Sequence, residues 1–263
     1  MAILRIDDLD DLRLAPYRAL KKSNFTRSSN QFVVEGDKLV RRLLDSDFEI
    51  LSLLVAEPLL PAVSDAVTRG FDVFVVDQSA IEQIVGFNFH RGLLGCAQRK
   101  PRLSLAEIAY GSAARLTLVA CPDVQDPENL GAILRIASAL AVDAVVLGPG
   151  CCDPFSRRVL RVSMGAALRV KIVERDDLAA DLAAMRDAIG LQLWAAVTDP
   201  AATSFDQIVR PDRLALVLGS EGHGLTADWV ARCDRAVTIP MGPGIDSFNV
   251  AVAAGILLYH FTR

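Results

Sequence analysis

The sequence predicts an α/β protein in which a small α/β sandwich precedes a doubly wound parallel sheet. Three observations carry that prediction. Short apolar runs alternate with helix-like stretches along most of the chain. In the second half nearly every residue of each run is apolar, which is the pattern of parallel strands covered on both faces. The 263 residues are 52% hydrophobic and 23% charged, enough for two ordinary domains with filled cores.

Taken in order, "FVVEG" (32–36), "ILSLLVAE" (50–57), "FDVFVVD" (71–77) and "RGLLGCAQ" (91–98) read as strands. "DKLVRRLLDS" (37–46) and "AIEQIVG" (80–86) read as helices between them, completing a first domain over 1–100. The polar stretch around Pro101 breaks the alternation, so residues 101–114 are read as a linker and 115–263 as a second domain. There the strands are "LTLVACPDV" (116–124), "DAVVLGP" (143–149), "RVKIVE" (169–174), "LQLWAAVT" (191–198), "RLALVLGS" (213–220) and "RAVTIP" (235–240). Parallel sheets bind ligands beyond the carboxyl ends of their strands, so functional residues are expected in the loops that follow these runs.

Composition excludes several classes. The N-terminus "MAILRIDDLDDL" lacks a basic region followed by an apolar core, and the apolar run near Val250–Tyr259 is too short to span a bilayer. A cytoplasmic protein without a membrane segment is expected. Five cysteines without a C-x-x-C pair and three scattered histidines suggest neither a disulfide framework nor a metal site. The net charge of −4 argues against a nucleic-acid-coating protein. Local basic clusters nonetheless suit phosphate contacts: Arg18, Lys21, Lys22 and Arg27 in the first, Arg157 and Arg158 in a later one. "RKPR" (99–102) is a third.

Neither the dinucleotide fingerprint G-x-G-x-x-G after the first strand nor a P-loop is present. Three other loops hold the polar residues. The first, "PDVQDPENLGAILRIASA" (122–139), opens a helix whose expected N-cap is Asn129, with Gly131, Arg135 and Ser138 on one face. The second, "LGSEGHGL" (218–225), sets Glu221 among Gly219, Gly222 and Gly224. In the third, "IPMGPGIDSFN" (239–249), Ser247 and Asn249 flank Phe248 at the start of the last helix. A helix cap accounts for one of those two polar residues; all three loops would open on one edge of one sheet.

"DPENLGAILRIA", "LVLGSEGHGL" and "IPMGPGIDSFNVAVA" resemble the three successive motifs of the SpoU family of RNA ribose 2'-O-methyltransferases. "FVVEGDKLVRRLL" and "FHRGLLGCAQR" resemble the family's substrate-binding domain, similar to ribosomal protein L30, and "RVSMGAALRVKI" resembles its inter-motif segment. The resemblance implies a deep trefoil knot in the second domain, S-adenosylmethionine as cofactor, RNA as substrate and a homodimer in which one subunit completes the other's site. Ribosomal RNA is the favoured substrate; transfer RNA, or a non-catalytic RNA-binding role on the same fold, is the alternative. By position it places the cofactor on backbone around Thr198, Leu218, Gly219, Gly222, Ile239, Met241 and Phe248. Asn129, Arg135, Glu221, Ser247 and Asn249 fall where the family's catalytic and RNA-placing residues stand. No metal is implied. The chain departs from the family in having Phe248 for leucine, Arg91 for glutamine after His90, and Gly242-Pro243-Gly244 in the third loop.

Overall fold

The computed structural model describes residues 2–18, 20, 25–85, 92–111 and 115–263. Packing divides the chain into two units, Met1–Pro101 with Phe155–Leu168, and Arg102–Pro154 with Arg169–Arg263.

In the first unit β1 (Ile3–Arg5) leads through α1 (Ala15–Arg18) and α2 (Phe25–Ser29) to β2 (Gln31–Glu35), α3 (Asp37–Leu44) and β3 (Ile50–Ala56). β4 (Asp72–Val76), α4 (Gln78–Val85) and β5 (Leu93–Gln98) follow. The strands form one five-stranded sheet in the order β1-β4-β3-β5-β2, with β5 antiparallel to both neighbours and the rest parallel. β1 was not anticipated: three residues with only the middle one half-buried carry too little apolar signal, and the strand exists because β4 offers a free edge. α3 buries Leu39, Val40 and Leu43 on one stripe and turns Arg41 outward onto Asp37 one helical turn back. Tyr17 is wholly buried, and its hydroxyl shares a 2.7 Å hydrogen bond with Ser52 Oγ, so neither polar group is stranded in the core.

The second unit runs α5 (Leu105–Gly111), β6 (Leu116–Cys121), α6 (Pro127–Ala139) and β7 (Ala144–Leu147), then passes through α7 (Arg157–Val162), which packs with the first unit. It resumes with β8 (Ile172–Glu174), α8 (Leu178–Ile189), β9 (Gln192–Val197), β10 (Thr203–Ser204), β11 (Arg213–Val217), α9 (Ala227–Arg232), β12 (Arg235–Thr238) and α10 (Val250–Thr262). The seven strands lie in the order β10-β12-β9-β11-β6-β7-β8, every pairing parallel. Leu118, Ala120, Val146, Leu193, Ala215 and Val217 are all buried, which explains why their strands are apolar without alternation.

Two boundaries differ from the sequence reading. The stretch 101–114 is not simply a linker: Ser104 and Glu107 form a reciprocal capping box, at 3.0 Å and 3.1 Å to each other's backbone nitrogens, and Leu105 and Ile108 enter the core of the second unit. Nor do residues 115–263 pack as one block, because Phe155–Leu168 belongs to the first unit. Phe155 stacks on Phe32 at 4.9 Å and receives the Arg99 guanidinium over its ring at 4.8 Å. Buried Glu35 accepts from Arg157 Nε at 2.9 Å and lies 3.2 Å from Arg161 Nε. A carboxylate out of water requires such partners, and both are supplied by α7.

Candidate active site

The four adjacent strands β12, β9, β11 and β6 end on the same edge, so the loops after them converge. β6 leads to β7 and β8 on one side, whereas β9, β11 and β12 lie on the other, which puts the reversal of strand order between β6 and β11. Asn129 follows β6 and Glu221 follows β11. They meet across that reversal.

Asn129 is the centre of the polar network. Its Nδ2 donates to Glu221 Oε1 at 2.7 Å and to Asp126 Oδ2 at 3.3 Å, and its Oδ1 accepts from Asn249 Nδ2 at 2.7 Å. Three loops far apart in sequence are thereby tied at one amide. Asn129 is 7% exposed and lies inside α6 instead of capping it. The cap is Asp126, whose carboxylate accepts from the Glu128 backbone nitrogen at 2.9 Å. Pro127 at the first helical position explains the shift, since it lacks the N–H that a helix leaves unpaired there. Asn249 does cap α10: its Oδ1 accepts from Ala251 N at 2.9 Å and Val252 N at 3.4 Å.

The second loop closes as a three-residue turn, with Ser220 and Gly224 paired through both backbone bonds at 3.2 Å and 3.0 Å. Glu221, Gly222 and His223 occupy its tip. Gly219 has no room for a side chain, because a Cβ there would stand 2.6 Å from the Gly224 carbonyl oxygen. Gly224, at φ +63°, takes the left-handed conformation that completes the turn.

The chain after β9, β11 and β12, with the start of α10, encloses a cleft of about 480 Å³. Thr198, Leu218, Gly219, Gly222, Ile239, Met241 and Phe248 all line it, together with Glu221, Ser247 and Asn249. Asn129 reaches the cleft through its bonds to Glu221 and Asn249. Arg135 does not line it: the side chain is exposed on α6 with no partner among the described residues. Its spacing from Asn129, six residues on a helix, puts the two on different faces.

The volume and the mixture of backbone groups with apolar walls fit a nucleoside-sized ligand. The lining holds Glu221 and Asp246 but no lysine or arginine among the described residues, which favours a ligand carrying positive charge. Apolar Leu218, Ile239 and Met241 together with the carboxylates of Glu221 and Asp246 make a lining that fits S-adenosylmethionine, a nucleoside bearing a sulfonium. Beneath the site Cys121 is fully buried, and burial pushes its thiol well above the usual range, with the charges of Cys151, Cys152 and Glu221 adding to the effect. It is therefore inert. Among the described residues no group of three or more His, Cys, Asp or Glu side chains could hold a metal ion.

The sequence reading passed over Asp126, His223 and Asp246. Asp-Pro before an apolar-periodic run was the available signal for Asp126, and the two glycines flanking His223 were the signal for its exposed turn. The predicted phosphate-binding residues fare differently from one another. Arg18 spends its guanidinium on the carbonyls of Leu9 and Asp10, and Arg157 spends its own on Glu35. Arg158 lines a groove of the first unit beside Lys38 and Arg161, and Arg27 lies within α2. Lys21 and Lys22 lie outside the described residues, as do His90 and Arg91.

Fold, switch point and cleft together define an α/β enzyme domain whose candidate site lies in the loops at the carboxyl ends of its strands. Comparison with known proteins makes the class specific. The SpoU rRNA methylase family matches residues 116–259, and the MRM3-like substrate binding domain matches residues 16–87. An uncharacterized tRNA/rRNA methyltransferase of Mycobacterium bovis is 35% identical over 97% of this chain and 90% of its own length. The 23S rRNA (guanosine(2553)-2'-O)-methyltransferase RlmP of Bacillus subtilis is 27% identical over 97% of this chain and 98% of its own. The AdoMet-bound rRNA methyltransferase of Sinorhizobium meliloti superposes with a TM-score of 0.85 at 26% identity, covering 99% of this chain and 98% of that one. The chain belongs to the SpoU rRNA methylase family.

Proposed function

We propose that this protein transfers the methyl group of S-adenosylmethionine to a ribose 2'-hydroxyl of RNA, ribosomal RNA in particular. The observation that carries the reading is the bonding of Asn129 to both Glu221 and Asn249, which ties the first motif loop to the two that line the cleft. The relatives support the substrate: the Bacillus enzyme carries ribose methylation of 23S rRNA in its name, and the Sinorhizobium structure holds AdoMet.

Bound, the cofactor supplies an electrophilic methyl on a positively charged sulfur. The chain's part is to hold and orient. Backbone around Thr198, Leu218, Gly219, Gly222, Ile239, Met241 and Phe248 grips the cofactor. The Ser247 hydroxyl, without a hydrogen bond among the described residues, lines the cleft beside Asn249, where a sugar would lie. Asn129 is a positioning residue, since both of its amide protons and one lone pair are already in use. Positioning of this kind can lower a barrier by several kcal/mol.

Arg135 requires a second subunit in this reading. α10 packs on α6 and leaves Val252 and Tyr259, 49% and 60% exposed, on its outer face. A homodimer through α6 and α10 covers that apolar surface and brings the partner's Arg135 to the cleft, where a guanidinium steadies the developing alkoxide. It cannot accept the proton, because guanidinium pKa values exceed about 12. The first unit, with Arg27 and Arg158 as phosphate contacts, reads the RNA, and the protein works in the cytoplasm.

The test is incubation with tritiated S-adenosylmethionine and unmodified 23S rRNA, followed by alkaline hydrolysis. Label in alkali-resistant dinucleotides is expected, because a methylated 2'-oxygen blocks cleavage at that position. Label confined to bases, or absent, overturns the reading.

A further inference from the structure

The proton of the 2'-hydroxyl needs an acceptor, and the motif arginine is not one. Among the described residues, three titratable side chains line the cleft: Glu221, His223 and Asp246. Glu221 Oε1 already accepts from Asn129 Nδ2 at 2.7 Å, which ties that carboxylate into the network joining the loops. Carboxylates are also weak bases near neutral pH, whereas imidazole is matched to proton transfer there.

His223 has the setting the task requires. It stands at the tip of the Ser220–Gly224 turn, two residues from Glu221, in a loop closed by paired backbone bonds and pinned by the tight approach of Gly219 to Gly224. Its ring makes no hydrogen bond among the described residues and is exposed toward solvent and cleft. Glu221, His223 and Asp246 line the same cleft as Ser247 and Asn249.

We propose that His223 is the general base of the methyl transfer, an inference that rests on the functional reading above. An imidazole nitrogen takes the 2'-hydroxyl proton, and the freed oxygen pair forms the O–CH3 bond. The C–S bond breaks with its electrons remaining on sulfur, so a sulfonium is exchanged for an imidazolium plus a neutral thioether. The imidazolium then returns its proton to water. Charge balances, and no other reactant is consumed.

Single-turnover methylation of transcribed 23S rRNA by His223→Ala and His223→Gln tests this. Both variants should lose about 10²–10³-fold in rate. Both should bind S-adenosylhomocysteine in a calorimeter as the wild type does, and imidazole buffer should restore part of the alanine variant's rate. Glutamine keeps size and hydrogen bonding without a basic nitrogen, so a glutamine variant at wild-type rate overturns the proposal. Loss of rate in proportion to loss of cofactor binding does so too. A readout without turnover is carbethoxylation of His223 by diethyl pyrocarbonate, followed by mass spectrometry. Bound S-adenosylhomocysteine with RNA should slow it markedly, and an unchanged rate puts the ring away from the reacting groups. An active wild type with an equally active alanine variant sinks only this proposal; a wild type that methylates no ribose sinks the functional reading with it.

Discussion

Asn249 Nδ2 donates to Asn129 Oδ1 at 2.7 Å, joining residues 120 positions apart. Because this bond occupies the amide oxygen of Asn129, its nitrogen must face Glu221 and Asp126. The last loop thus decides which way the first loop's amide points. Asn249→Asp should keep the α10 cap but turn a donor into an acceptor, so that Asn129 flips its nitrogen away from Glu221. A melting temperature near wild type is expected, with methyl transfer down about 10–100-fold, the worth of one hydrogen bond to a charged group. Asn249→Ala should in addition lose about 1 kcal/mol of stability with the cap. Thermal denaturation beside single-turnover rates separates the two.

Gly219 and Gly222 both line the cleft, yet they should respond oppositely to alanine. A Cβ on Gly219 meets the backbone of Gly224 and Leu225, which cannot move without opening the turn, whereas one on Gly222 meets nothing within 4 Å. Calorimetry should find cofactor binding lost in Gly219→Ala and kept in Gly222→Ala. Equal affinities would mean that the turn does not shape the cleft.

Arg135→Ala removes an exposed side chain without a partner among the described residues. Stability should change by less than about 0.5 kcal/mol. Cofactor affinity should hold while methyl transfer falls by about 10²-fold or more. Binding and transfer lost together would assign the residue to the cofactor instead.

Arg157 is better described as a structural residue than as an RNA contact, since Glu35 is 4% exposed and takes its Nε at 2.9 Å. Glu35→Ala should destabilise by about 1–3 kcal/mol in urea titration, less than a fully buried pair because the freed arginines can turn to water. Arg157→Ala should likewise lower stability while leaving the salt dependence of RNA binding unchanged. A shallower salt slope would restore the RNA contact.

Burial pushes the Cys96 thiol up to about 12, and burial followed by the charge of Asp234 pushes Cys233 up to about 11. Both values are raised in the folded state, so their contribution is fully present below the ordinary value of 9.0 and is lost as pH rises toward 11 and 12. Urea midpoints should fall across that window. Cys96→Ala should flatten the upper part of the decline, and an unaltered profile would place the alkaline loss elsewhere.

Most strands of both sheets could be read from the chain because burial leaves a local mark: a two-sided strand such as Leu214–Val217 must be apolar throughout. β1 and the two-residue β10 leave no such mark and depend on the edges offered by β4 and β12. The helix over Leu105–Gly111 was hidden by its short length and polar surroundings, although its Ser104–Glu107 box was there to be read.

By itself the amino-acid order determined which residues could be brought together, because parallel strands place their following loops on one edge whatever the details of packing. Asp-Pro and glycine carried signals for caps and turns as well, although the α6 cap expected at Asn129 stands at Asp126. Only the tertiary structure decided the rest: that Asn129 spends its amide on Glu221, Asp126 and Asn249, that Arg135 points away from the cleft, and that Arg157 serves Glu35. The physical reason is that a polar side chain's role is set by the partner that satisfies its hydrogen bonds, and that partner here lies up to 122 residues away in the chain.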